Sequence, residues 1–444
     1  MIRQAAHLTI GNLLSRCIFA FLTIAVAKEL SADQYGAFSY AVATVSVASY
    51  FCELGLQNTY LREVAGGNSR WSDYTITSFY LRALLLVAVA GLAWLVLPHF
   101  AVSALVLKCV LLMFVPGILG LALASWITGV LLSKSDTGTL AAVRLKAALT
   151  QGVFVGLGMI VPVGSIARVD VLAFSYGAGL AAGGLFGIRA VPVRSYRISL
   201  RRFRYGAARL SRGLHAYAIS GFFYMLAPTL GVLLLERSAS LAVVGTFALA
   251  SRVPQFLYTI PGSVAQAFYP KLFQAAREQQ WSAYAALLRR EALFLASIGT
   301  VLALAVMVSG PLIAHVLRHS GDAAYQHELK EALFVGAAVI LIQSMSMPLG
   351  HALETAGRAM PRTAGQAVSL TIAAVLFVRL GAQHGVTGAM AAAVAGEIAL
   401  YLSWLLLTLV YIKQANVARL SLSSLGVVGC ISMLGWSIWY CFLR

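Results

Sequence analysis

A chain of 444 residues with 60 % hydrophobic and only 11 % charged residues, at a mean hydropathy of +0.83, excludes a soluble globular protein and specifies a polytopic membrane protein. Its 33 Lys+Arg against 15 Asp+Glu give a net charge of +18. The basic residues sit in short loops between apolar stretches, which counts against nucleic acid and points to acidic headgroups or an anionic substrate.

The N-terminus mimics a cleavable signal, with Arg3, an apolar run and Ala25-Val26-Ala27, but Asn12, Ser15 and Arg16 interrupt the run, so it is expected to stay as a transmembrane helix. About 20 mostly apolar residues cross the hydrocarbon layer. On that rule the spans are 8–27, 36–57, 79–98, 103–131, 139–162, 169–190, 213–235, 241–267, 292–317, 331–353, 363–381, 387–412 and 423–443. The fold class is therefore all-α, with 12–14 transmembrane helices. Between the sixth and seventh spans, 189–212 carries eight arginines and no acid. Segments this basic stay in the cytoplasm. With the N-terminus on the same side, the cytoplasmic loops hold 20 Lys and Arg and the outer loops 5. The outer loops are too short to fold as a domain, which argues against an enzyme acting outside the membrane. The expected organisation is an N-terminal lobe over 1–190, a basic linker over 191–212, a C-terminal lobe over 213–412 and an extra segment over 413–444, with a central cavity between two six-helix lobes.

Two loops, 60–74 and 269–291, read as amphipathic elbows in the headgroup plane, the first with Trp71 and Tyr74 as interface anchors, the second with Trp281, Tyr284 and Leu288 alternating with Gln279, Gln280, Arg289 and Arg290 at helical spacing. Pro116, Pro228, Pro254, Pro261 and Pro348 fall inside spans, as in the broken helices of transporters. The halves repeat. Tyr35-Gly36-Ala37-Phe38-Ser39-Tyr40-Ala41 recurs 209 residues later as Val244-Gly245-Thr246-Phe247-Ala248-Leu249-Ala250, at the same point of two six-span units.

Ionisable residues at membrane depth are functional candidates. Arg16 stands about 12 Å into the first span, at ~1.5 Å per residue, and Arg252 near the middle of the eighth. One cation per lobe suits a cavity lined from both sides. Arg82, Arg144 and Lys146 lie nearer the cytoplasmic ends of their helices, where they fit either the mouth of that cavity or orienting charges. Glu397, the deepest acid, suits a coupling proton or sodium ion, or a counter-charge to a buried arginine; Glu53 is nearer the cytoplasmic end. His215, His315 and His351 are lone residues at span ends, read as packing or interface residues. The five cysteines, Cys17, Cys52, Cys109, Cys430 and Cys441, lie in apolar stretches and read as packed thiols, and no cluster has metal-ligand or catalytic spacing, so no cofactor is expected.

The opening Leu8-Thr9-Ile10-Gly11-Asn12-Leu13-Leu14-Ser15-Arg16, then Ala27-Lys28-Glu29-Leu30-Ser31-Ala32-Asp33-Gln34-Tyr35-Gly36, Glu53-Leu54-Gly55-Leu56 and Leu61-Arg62-Glu63, resembles the start of the bacterial O-antigen and capsule repeat-unit flippases. These belong to the polysaccharide transport family, in the superfamily that also holds multidrug and toxin extruders. The resemblance is specific over the first 65 residues and fits the chain in length, span number and central basic loop; members have twelve or fourteen spans, against thirteen here. It implies a bacterial inner-membrane protein that moves an undecaprenyl-pyrophosphate-linked oligosaccharide to the outer leaflet by alternating access. Membrane lipids, a coupling ion (H+ or Na+) and a polysaccharide polymerase would be its partners. Arg16, Arg252, Arg82 and Lys146 would then bind substrate, and Glu397 the ion. The rivals are a multidrug extruder of the same superfamily, expected to carry acids rather than arginines inside its lobes, and a membrane polymerase or ligase.

Overall fold

A computed structural model describes residues 2–64, 70–100, 103–162, 167–191, 197–317 and 323–412. The described residues form helices and no strand. In a solvent without hydrogen-bond partners, helices satisfy every backbone group within the segment, and this sequence supplies the apolar runs to build them.

The first unit comprises residues Met1–Gly245. It contains α1 (Ile2–Glu29), α2 (Ala32–Phe51), α3 (Leu56–Val64), α4 (Trp71–Phe100), α5 (Ala104–Ser133), α6 (Thr137–Ile160), α7 (Arg168–Ile188), α8 (Leu200–Ser211), α9 (Leu214–Leu226) and α10 (Leu230–Ser238). Helix α5 packs against α2 and α7, and α6 against α1 and α7. Small residues allow the close approach: Gly120 and Gly184 face each other's helices, and a Cβ on Gly184 would stand 2.9 Å from the Gly120 carbonyl oxygen. The turns carry ordinary caps. Ser31 and Gln34 form a reciprocal capping box on α2, and Asp136 accepts from the Thr139 backbone N–H at 3.0 Å, which holds its carboxyl below the usual carboxylate range.

Helix α11 (Leu241–Leu257) opens at the seam, and the second unit, residues Thr246–Arg444, continues through α12 (Thr259–Arg277), α13 (Trp281–Val316), α14 (Ala323–Thr355) and α15 (Ala359–Tyr411). The last of these is a hairpin of two helices broken at Gly385, whose φ of 57° and ψ of −135° suit glycine. Its limbs fold back on each other, with Gly396 against Ala373 and Gly365 against Trp404.

The first twelve expected spans each fall on helix; the thirteenth, 423–443, lies outside the described residues. Among the described residues nine helical stretches are long and apolar enough to cross a membrane, or ten with the pair Tyr217–Leu226 and Leu230–Ser238, which is bent by 57°. Their apolar side chains are widely bare, with Trp94 at 71 % and Val308 at 69 % exposed, a surface suited to lipid.

The first compact unit runs to Gly245, and within it α9 and α10 pack on α2 and α3. Two expectations are corrected. The region 269–291 is no separate in-plane helix: it is the end of α12, a tight turn with Gln279 at φ 58°, and the first turns of α13. Tyr74 is a core residue, 4 % exposed, rather than an interface anchor, and Tyr284 is likewise buried.

The basic linker is partly structured. Within it, α8 lies on α3 and α4, with Leu210 fully buried and Gly206 set against Thr77. Arg62 holds it by donating to the carbonyl of Arg212 at 2.8 Å, and Arg202 pairs with Asp73 at 3.8 Å. Arg70 and Arg209 flank the Tyr205 ring at 5.0 and 5.7 Å, and the hydrogen bond from Arg209 holds the Tyr205 phenol below its usual range.

Candidate functional site

The second span breaks at Cys52–Gly55, where Leu54 takes φ 47° and Gly55 φ 79°. A leucine in the left-handed region is strained, and such strain gathers at functional sites. Glu53 stands at this break. It accepts a hydrogen bond from Ser125 of α5 at 2.6 Å, while Ser125 also reaches Gln57 of α3 at 3.4 Å. These groups line a cavity of about 350 Å3 inside the first unit, together with Thr128 of α5 and Leu140 and Arg144 of α6.

Of the expected cations, Arg144 lines this cavity. Arg16, exposed on α1, acts electrostatically on Arg144 across the packed α1 and α6. Arg82, on α4, is 4 % exposed and lies within the field of Glu53. Its Nη1 makes one long contact, 3.5 Å, to the Ser78 carbonyl, and its Nε and Nη2 are buried without a hydrogen-bond partner. Lys146 is exposed on α6 and is absent from the cavity wall.

In the second unit Arg252 is exposed on α11 and belongs to no ion pair among the described residues. Glu397 lies on the second limb of α15. Its Oε1 accepts from Gln343 Nε2 of α14 at 2.7 Å, and its Oε2 is buried without a partner. The group beside Glu397 is thus a neutral amide rather than an arginine.

Several residues escaped the sequence reading. His351 is no isolated packing residue: its Nδ1 stands 2.7 Å from Oε1 of Glu291, whose side chain is fully buried, and Tyr284 bonds Thr355 at 2.8 Å close by. Partners 60 and 71 residues apart leave no local signal. One signal was present. Trp71-Ser72-Asp73-Tyr74 recurs 210 residues later as Trp281-Ser282-Ala283-Tyr284, and each copy opens the third span of its half. Among the described residues no group of three or more His, Cys, Asp or Glu is arranged to hold a metal ion.

No protein-family model and no curated protein matches the sequence. Solved structures do match along nearly its whole length. The lipid II flippase MurJ in an inward closed conformation superposes with a TM-score of 0.72 at 13 % identity, covering 98 % of this chain and 97 % of that one. A multidrug-resistance MATE transporter of the MOP superfamily, inward-facing, gives 0.71 at 14 %, covering 92 % and 95 %. The Vibrio cholerae MATE transporter VcmN gives 0.65 at 14 %, covering 94 % and 98 %. Identities this low speak for architecture alone, and the architecture is that of a multi-pass membrane protein with the fold of MOP-superfamily transporters.

Proposed function

We propose that the chain is a flippase for an undecaprenyl-pyrophosphate-linked oligosaccharide, carrying it from the cytoplasmic to the outer leaflet of a bacterial inner membrane by alternating access, for O-antigen, capsule or exopolysaccharide synthesis. The observation that carries this reading is the exposed arginine on a transmembrane helix of each unit, Arg16 on α1 and Arg252 on α11. Sugars and a pyrophosphate do not cross hydrocarbon unaided, whereas a polyprenyl tail stays in lipid beside the protein. A guanidinium in a low-dielectric setting grips a pyrophosphate through paired, charge-assisted hydrogen bonds. Arg82, buried on α4, belongs to the same cationic set, and Lys146, exposed on α6, serves encounter rather than grip. The flippase fold of MurJ agrees with a lipid-linked substrate. A polysaccharide polymerase is the natural acceptor of the product.

Glu397 is the candidate ion-coupling residue, because its buried Oε2 has no partner and a proton or sodium ion would satisfy it. Glu397→Gln is expected to leave the amount of protein in the membrane near normal while lowering glycan export severalfold. Unchanged export removes Glu397 from the coupling machinery.

The same reading sets the topology. Helix α8 and the N-terminus face the cytoplasm, so a cysteine introduced by Arg201→Cys is expected to stay unlabelled by an impermeant thiol reagent in intact cells and to be labelled in opened ones. Labelling from outside reverses the orientation and the direction of transport with it.

A further inference from the structure

The second unit holds a buried acid that the proposed mechanism does not use. Glu291 of α13 has a fully buried side chain, with Oε1 2.7 Å from Nδ1 of His351 on α14 and Oε2 buried without a hydrogen-bond partner. No lysine or arginine pairs with it among the described residues. Helices α12, α13 and α15 all pack on α14, and the other charges they bring are engaged or open. Arg362 of α15 pairs with Glu354 of α14 at 3.5 Å, Glu397 of α15 accepts from Gln343, and Lys271 of α12 and Arg289 and Arg290 of α13 are exposed. Tyr269 of α12 meets the His351 ring edge to face, with centroids 5.2 Å apart. A lone carboxylate in such a place is strongly disfavoured. The charge left to neutralise it is a proton, carried by the imidazole or by the carboxyl itself.

The fold does not ask for this pair. Trp71 and Tyr74 recur 210 residues later as Trp281 and Tyr284, and in that register the place of Glu291 is taken in the first unit by Leu81. Well-packed apolar residues serve a helix contact as well as a buried ion pair does. What the pair adds is a charge that depends on pH, since imidazole is the side chain that gains and loses its proton near neutrality. The His351 side chain is 14 % exposed, open at one edge while Glu291 is sealed, and it lies in the last turn of α14, which ends at Thr355. We propose that Glu291 and His351 form a proton-binding site, separate from Glu397, and that the bound proton holds α12 against α13 and α14. With the proton in place the pair is neutral and Tyr269 closes over the ring; without it a buried negative charge stands beneath the α12 contact and draws water in. Below the imidazole range the packed and the loosened arrangement both hold the proton and the contact is at full strength. As the pH rises through that range the loosened arrangement sheds it first, and the contact weakens. That protons arrive from the cytoplasm rests on the topology proposed above; the site itself does not.

The test is hydrogen–deuterium exchange of the purified full-length chain in nanodiscs, read by mass spectrometry over α12 and corrected for the intrinsic effect of pH, at points between about pH 5 and pH 9. In the parent, exchange at the acid end is expected to be about tenfold or more slower than at the alkaline end, a comparison that needs no variant. Glu291→Gln, whose amide requires no proton, is expected to keep the slow exchange at every pH. The double variant Glu291→Gln with His351→Gln, which removes both titrating groups, is expected to lose the response as well, and Glu397→Gln to respond as the parent does. Parent exchange that does not change with pH overturns the site. So does a response that survives undiminished in Glu291→Gln or in the double variant, or one that Glu397→Gln abolishes. Each of these failures leaves the flippase reading as it was, since neither residue is assigned to the substrate.

Discussion

Gly36→Val is expected to abolish the accumulation of folded protein, and Gly245→Val to do the same. The two glycines are the repeat-related pair separated by 209 residues, and the backbone around them approaches closely inside the first unit. A Cβ on Gly36 would collide with the carbonyl oxygen of Leu241, and one on Gly245 would stand 2.5 Å from the carbonyl oxygen of Ala32. Ala32 and Leu241 are themselves equivalent positions of the repeat, so the approach is symmetric. Both obstacles are backbone atoms, which have no rotamer to escape into. Overpacking a close-packed site costs ~1 to 3 kcal/mol where side chains can yield, and more where they cannot. Gly91→Val is the control, since nothing lies within 4 Å of a Cβ there. Size-exclusion profiles of the detergent-extracted variants read the outcome: a Gly36→Val protein eluting like the parent would contradict this close approach.

The same glycines show how much was legible in sequence. Hydropathy located twelve spans because each is a run long enough to cross lipid, and the Gly36/Gly245 match found the repeat because a tight crossing leaves only one residue type possible. The extent of the first compact unit, to Gly245, lies past the basic linker. The arginines at 189–212 mark a break in hydropathy, whereas the contacts of α9 and α10 with α2 and α3 come from packing that composition does not encode. Candidate residues divide in the same way. Arg16, Arg82, Arg252 and Glu397 are conspicuous as charges in apolar runs. Their surroundings come from distant segments: Ser125 reaches Glu53 from 72 residues away, and Gln343 reaches Glu397 from 54. A glutamine or serine in a membrane helix is unremarkable until the fold sets it against a carboxylate. Tyr74 misled for a related reason, since a tyrosine near a span end suits the interface as well as the core until its neighbours are known.

Arg16→Ala and Arg252→Ala are each expected to lower substrate binding tenfold to a hundredfold, the loss of a charge-assisted contact worth about 1.5 to 3 kcal/mol. Lysine at either site keeps the charge but loses the planar fork, so it should recover part of the function. Both side chains are exposed among helices whose cores are apolar, so truncation removes little packing and protein levels should hold. The order Arg above Lys above Ala separates a binding role from two others. A structural arginine would show its loss as lower abundance, and a purely topogenic one would be fully replaced by lysine.

These variants meet the central claim most directly in reconstituted vesicles. The chain is inserted into liposomes that hold an undecaprenyl-pyrophosphate-linked oligosaccharide in one leaflet, and the sugar reaching the other is counted by lectin accessibility over time. The flippase account predicts transfer well above that of protein-free liposomes, reduced about tenfold or more by Arg16→Ala and by Arg252→Ala. Transfer no faster than in protein-free liposomes, from vesicles that do extrude an organic cation such as ethidium, would contradict it and place the chain among the multidrug exporters of the same fold.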